Sequence, residues 1–274
     1  MDRTNQSSPD QIASDFLLEA RAIGKRFGRV EALVKVDFRV GRNEVVGLLG
    51  DNGAGKSTLI KIITGVYRPD RGTLFWEGRP VRLDSPRDAY ALGIATVYQD
   101  LAVVDLMSIH RNIFLGREHL VSRRVGPFRF YDVQRARAEA HQALRDIGIL
   151  IRSPDEPVMM MSGGERQSIA IARGVRFSAK LLVLDEPTSA LSVKETAKVL
   201  RYIESARERG LSVIFITHSV HQVFPVADRF TILSHGETVG DFRRGEVSPE
   251  EISEMIVRGH EMMAELRKAE EGQS

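Results

Sequence analysis

Three short stretches of the chain carry residue types that can act on a polyphosphate. In the first, Gly50-Asp51-Asn52-Gly53-Ala54-Gly55-Lys56-Ser57-Thr58 fits the pattern G-x-x-x-x-G-K-[ST]. Glycine is needed there because backbone N–H groups must face phosphate oxygens with no Cβ between them. A helix starting directly afterwards offers orphan donors and about half a positive charge at its N-terminus. Lys56 would then reach the β- and γ-phosphates, and the Ser57 hydroxyl would ligate Mg2+. A glycine-rich turn that binds nothing is the alternative. Context favours the cradle, since "EVVGLL" reads as a strand before it and "LIKIITG" as a helix after it.

The second stretch, "LLVLDEP" from Leu181 to Pro187, ends an apolar run in two acids. A carboxylate at the carboxyl end of a buried strand sits where open α/β sheets bind ligands. Asp185 could hold Mg2+ through its water shell, and Glu186 could take a proton from the water attacking a γ-phosphate. A turn with a helix cap is the plainer reading, and the upstream cradle outweighs it. The third stretch, "MSGGERQSIAIARG", places Ser162 and Glu165 as a capping box before an apolar helical run. Gly163 and Gly164 leave open amides at that helix end, a second anion site. One nucleotide does not need two such sites from one chain. Two facing chains would use both.

These stretches need elements to hold them. Candidate strands are Leu17–Ile23, Val45–Leu49, Ile94–Tyr98, Leu181–Leu184, Val213–Thr217 and Phe230–Leu233, alternating with amphipathic helical patterns. That alternation predicts a mostly parallel sheet flanked by helices. The runs at Leu181 and Val213 are apolar throughout, as strands buried on both faces are. Leu17–Ile23 and Val34–Val40 predict an antiparallel hairpin sheet. "RAEAHQALRDIGI" predicts a helix with Ala140, Leu144 and Ile147 on one face, and "REHLVSRRVGPFR" an exposed loop. A short hairpin is expected at His235–Phe242, and a helix from about Pro249 to Arg267.

Composition sets the outer limits. With 274 residues, 42% of them hydrophobic, the chain can bury a large core. The 39 basic and 37 acidic residues give a net charge of +2, no footprint for nucleic acid. There is no cysteine, hence no disulfide framework. The polar start "MDRTNQSSPDQI" lacks the apolar segment of a secretory signal, and no apolar run reaches the ~18–20 residues that span a bilayer. A soluble chain is expected, with any membrane role exercised through a partner.

Taken in order, the phosphate loop, Gln99 after a strand, "SGGERQ", "LLVLDEPTSALS" and His218 after "VIFIT" resemble the ATP-binding subunits of ABC transporters over nearly the whole chain. The resemblance implies an α/β P-loop NTPase core with an antiparallel β subdomain and an inserted helical subdomain. Residues 1–14 would be a tail and 15–248 the nucleotide-binding domain, with its helical subdomain near 99–176. Residues 249–274 would form a C-terminal helix and tail. It further implies two ATP molecules with Mg2+ bound between two such subunits, and hydrolysis that drives transport through separate membrane proteins.

Carried over by position, Phe27 in "KRFGRV" matches the aromatic that stacks on adenine, and Gly50 to Thr58 match the phosphate loop. Gln99 matches the glutamine that senses Mg2+ and the attacking water. Ser162, Gly163 and Gly164 match the signature that meets the γ-phosphate across the dimer. Asp185 matches the Mg2+-site aspartate, Glu186 the catalytic base and His218 the histidine at the γ-phosphate. Phe27 could instead cover the edge of the hairpin sheet, and His218 with His221 forms an H-x-x-H pair with no third metal ligand type recurring nearby. One departure is Ser192, where many members carry an aspartate that bridges the two subunits.

The segments "YRPDRGTLFWEGRPVRLDSPRDAYALGIATVYQDLAVVDLMSIHRNIFLGRE" and "GETVGDFRRGEVSPEEISEMIVRG" are similar to those of bacterial monosaccharide importers, in a single-cassette form. That likeness implies a homodimer on ATP binding, permease subunits docking near the helical subdomain at "LAVVDLMSI", and an extracytoplasmic solute-binding protein acting indirectly. It implies a peripheral place on the cytoplasmic face of the inner membrane. The alternatives are a soluble ABC ATPase acting on ribosomes or nucleic acid, and an export or lipid-transport cassette. Ribosome-acting members usually carry two cassettes and a basic linker, which this chain lacks.

Overall fold

The computed structural model describes residues 16–146, 151, 153–176, 179–189 and 191–259. The first two strands, β1 (Phe16–Phe27) and β2 (Val30–Gly41), form a long antiparallel hairpin. Strand β3 (Val45–Leu49) is apolar and buried at every position and leads through the glycine loop into α1 (Lys56–Ile63). Then β4 (Arg71–Trp76) pairs antiparallel with β1, and β5 (Arg79–Val81) with β4. Helix α2 (Pro86–Ala91), opened by a Ser85–Asp88 capping box, precedes β6 (Ile94–Val97).

Between β6 and the next core strand the chain builds α3 (Ile109–Ile113), a two-stranded hairpin of β7 (Ser122–Val125) and β8 (Phe128–Tyr131), α4 (Val133–Asp146) and α5 (Gly163–Val175). The core resumes with β9 (Leu181–Asp185), α6 (Val193–Glu208), β10 (Ser212–Thr217), α7 (Val220–Val223), β11 (Arg229–Ser234) and β12 (Glu237–Arg243). A last helix covers 249–259.

One sheet runs β5-β4-β1-β2-β12-β11-β3-β10-β9-β6. Its parallel part is β11, β3, β10, β9 and β6. The antiparallel part joins it through β12 beside β2, where Glu237 faces Lys35 and the Thr238 hydroxyl donates to the Asp37 carbonyl at 2.7 Å. The parallel strands are buried on both faces, so their side chains divide with period two between two cores. Leu48, Val183 and Ile214 join β1, β2, β4 and α1 in one core. Leu49, Leu182 and Phe215 join Tyr202 and Ile203 of α6 in the other. Fully burying one such Leu or Ile side chain contributes about 1.5–3 kcal/mol, more than a typical exposed ion pair. A third core packs α3, α4 and α5 together through Ile113, Phe114, Ala140, Leu144 and Ile169.

Several expectations change. β1 extends four residues past the expected Ile23, and β4 and β5 were not anticipated. The expected loop "REHLVSRRVGPFR" contributes β7 and the start of β8, turned at Gly126-Pro127 with Val125 opposite Phe128. Phe128 and Phe130 stand in solvent, but Val121, within the stretch expected to be exposed, is fully buried in the third core. Alternating aromatic residues around a Gly-Pro pair are a hairpin signal that the surrounding arginines obscured. Ala140 and Leu144 are buried as expected, while Ile147 and the helix beyond residue 259 lie outside the described residues.

Candidate functional site

The glycine loop is set by backbone geometry at two positions. Gly50 (φ 149°) has no room for a side chain, because a Cβ there would lie 2.4 Å from the Leu233 carbonyl oxygen. Gly55 (φ 104°), directly before α1, would place a Cβ 2.6 Å from Leu33 Cδ2. Lys56 folds back into the loop, its Nζ donating to the Gly50 carbonyl at 2.6 Å and the Asp51 carbonyl at 3.0 Å. Burial pushes its pKa down, and the nearby Glu186, Asp51 and Asp185 carboxylates pull it back up.

Asp185 ends β9, and Glu186 follows in the left-handed region at φ 48°, its N–H donating to the Ile216 carbonyl at 3.0 Å. A non-glycine residue held there is strained and persists only where its surroundings fix it. Three groups from the end of β10 do so. The Thr217 hydroxyl donates to Glu186 Oε2 at 3.2 Å, and the His218 N–H donates to Oε1 at 3.1 Å. His218 Nδ1 lies 2.8 Å from the same oxygen. Asp185 is pushed above the usual carboxylate range, first by burial and then by Glu186, with Lys56 and Lys61 opposing.

Lys56, Asp185, Glu186 and His218 face one cleft of about 480 Å³. Its walls are Asp51 to Thr58, Gln99, Asp185, Glu186 and His218, together with Val30, Glu31, Ala32 and Ser189. Gln99 is exposed just past the end of β6. The oxygen donors Ser57, Gln99 and Asp185 share this cleft, and a hard cation such as Mg2+ takes oxygen ligands of this kind. The carboxylates of Asp51, Asp185 and Glu186 outnumber the Lys56 ammonium in the cleft. Among the described residues no three His, Cys, Asp or Glu side chains group together.

Two expected members stand apart from the cleft. Phe27 ends β1 at the tip of the hairpin whose Val30–Ala32 line it; Phe27 itself is 40% exposed and meets Tyr67 edge-on at 5.1 Å. Ser162, Gly163 and Gly164 open α5 and are not among the cleft's walls. The capping box is formed, with Ser162 Oγ accepting from the Glu165 N–H at 3.3 Å and Glu165 Oε2 accepting from the Ser162 N–H at 2.8 Å. The two corners that the sequence marks as anion sites therefore stand apart within one chain, and only the glycine loop lines the cleft.

Residues 33–189 match the ABC transporter family. This chain belongs to that family. The cassette is 45% identical over 240 residues to the xylose/arabinose import ATP-binding protein of Sulfolobus acidocaldarius, covering 88% of this chain and 93% of that protein. It is 43% identical to the fructose import ATP-binding protein of Rhizobium meliloti, covering 81% and 86%. An ABC transporter ATP-binding cassette solved in its ADP conformation superposes with a TM-score of 0.75 at 23% identity, covering 88% of this chain and 95% of that one. That likeness supports the α/β cassette fold.

Residues that the motifs did not single out complete the cassette's site. Val30–Ala32 reach the cleft only because the hairpin folds over the glycine loop. Thr217 had a signal, as the last residue of "VIFIT" beside His218, and its hydroxyl joins His218 in orienting Glu186.

Proposed function

We propose that the protein is the ATP-hydrolysing subunit of an importer, powering uptake of a monosaccharide through partner permease subunits. The observation that carries the reading is the Glu186 carboxylate, held by Thr217 and His218 in the same cleft as Lys56. Lys56 and the loop amides would bind the β- and γ-phosphates and set the γ-phosphorus in front of Glu186. An Oε of Glu186 would accept the proton of the attacking water. His218 would hold that carboxylate and face the γ-phosphate. Ser57, Gln99 and Asp185 would hold Mg2+, which when bound supplies charge neutralisation across the phosphates. Phe27 would cover the adenine at the hairpin tip.

The site would be completed by a second copy, whose Ser162, Gly163 and Gly164 cap the γ-phosphate from the other side. This homodimer reading is supported by the separation of the two corners within one chain. The cargo reading is supported by two relatives named for import of xylose or arabinose and of fructose. Among the described residues no helix is long and apolar enough to cross a membrane, so transport would need permease partners. The segment after Gln99 would meet them at the cytoplasmic face of the inner membrane. Leu101 and Val103 pack inward, and Val104 and Leu106 remain exposed beside Met159 and Met160. An extracytoplasmic solute-binding protein would act only through the permease. Uptake of labelled xylose or fructose into proteoliposomes carrying the permease, dependent on this subunit and ATP, tests the proposal. Turnover of ATP with no uptake of any monosaccharide would refute the cargo.

A further inference from the structure

We propose that Glu195 is a positioning residue of the Ser162–Gly164 corner, and that in the free subunit its carboxylate holds the Gly164 amide which a partner's nucleotide phosphate takes over on dimerisation. The inference rests on the shared-site reading above and adds how that corner is governed before ATP arrives.

The observation begins at Ser192, which lacks the carboxylate that the resemblance leads one to expect. The structure supplies one three residues later. Glu195 Oε2 accepts from the Ser192 N–H at 3.0 Å and from the Ser192 hydroxyl at 2.8 Å, which caps α6. Ser192 Oγ accepts in return from the Glu195 N–H at 3.4 Å, which completes the capping box. The other oxygen leaves its own helix, and Oε1 accepts from the Gly164 N–H of α5 at 3.2 Å. One carboxylate thereby ties together the first turns of two helices.

Sterics agree with this. Ser162 and Gly163 are exposed, yet Gly164 between Gly163 and Glu165 is buried. The side chain over it is Glu195, whose Cγ would lie 2.8 Å from a Cβ at Gly164. The Ser192 amide and hydroxyl, with the Gly164 amide, hold the Glu195 pKa down to about 2, so it is an anion wherever the protein works. A phosphate oxygen seeking the Gly164 amide therefore meets a like charge already bound there. Oε1 has to move off, while Oε2 can stay on Ser192.

Two variants separate these roles. Glu195→Gln keeps an acceptor for Ser192 and removes the charge. Glu195→Asp keeps the charge and the cap but is one methylene too short to reach Gly164. Both should lower the ATP concentration for half-maximal dimerisation, measured by sedimentation with a slowly hydrolysed ATP analogue, by about five-fold. The KM for ATP should fall alongside, with kcat held within about two-fold; a merely structural cap would lower kcat and stability instead. In the ATP-free subunit, hydrogen exchange at the Gly164 amide should quicken by about ten-fold in Glu195→Asp. Unchanged Gly164 exchange would overturn the contact, and an unchanged or raised ATP requirement would overturn the competition. A parent that stays monomeric at saturating analogue would sink the shared site and this inference with it, whereas Gly164 exchange is read on the monomer and reports the contact alone.

Discussion

Oε1 of Glu186 lies 2.8 Å from Nδ1 of His218 and also accepts the His218 backbone N–H at 3.1 Å, so side chain and backbone of one residue aim the carboxylate of the other. With Thr217 on Oε2, both oxygens of Glu186 are oriented by the protein's own groups. A base held this way loses function when its proton-accepting capacity is removed and its shape is kept. Glu186→Gln should bind ATP with affinity within about three-fold of the parent and lower kcat by about 10²–10⁴-fold. Single-turnover hydrolysis measures this, and turnover equal to the parent would exclude Glu186 as the base.

Lys56 tests the cradle. Its ammonium bonds two loop carbonyls, and each charge-assisted bond it would make to phosphate is worth about 1.5–3 kcal/mol. Lys56→Ala should weaken ATP binding by about 10–100-fold, measured by calorimetry. Undiminished affinity would contradict the assignment.

Asp185 carries a cost when the cleft holds no cation. Burial and Glu186 raise its pKa, so its charged form is disfavoured in the folded chain relative to the unfolded one. That destabilisation is present at pH above the folded pKa and relieved as pH falls below it. Asp185→Asn should therefore raise the Tm of the ATP-free protein at pH 8, with the difference from the parent shrinking as pH falls through the raised folded pKa. The same variant should lose Mg2+-dependent hydrolysis. A lowered Tm at pH 8 would contradict this account of the carboxylate.

The sequence made the chemistry more legible than the scaffold. The glycine loop, Asp185 and Glu186, which share one cleft, stand out because each motif has fixed spacing and sits at a strand end, where an apolar run stops abruptly. Gln99 is marked only by its order among the motifs. Val30–Ala32 do not stand out, because their part in the cleft depends on a hairpin laid over a distant loop, which no local pattern encodes. β7 and β8 were hidden by arginines alternating with exposed aromatics. The Glu195 contact is likewise invisible in one dimension: Ser192 and Glu195 spell a capping box, and only packing of α5 against α6 brings Gly164 within reach of the second oxygen.

The central claim is that each reaction centre is assembled from two chains. Ser162→Arg should spare ATP binding and abolish hydrolysis, since the damage falls on the partner's nucleotide. Lys56→Ala damages the variant's own cleft. Mixed in equal amounts, the two inactive proteins can form a dimer in which an intact cleft of the first chain meets an intact corner of the second. The measurement is ATP hydrolysis by that mixture. The account predicts that activity returns to a sizeable fraction of one site's rate; a mixture as inactive as its components, under conditions where the parent dimerises and turns over, would contradict it.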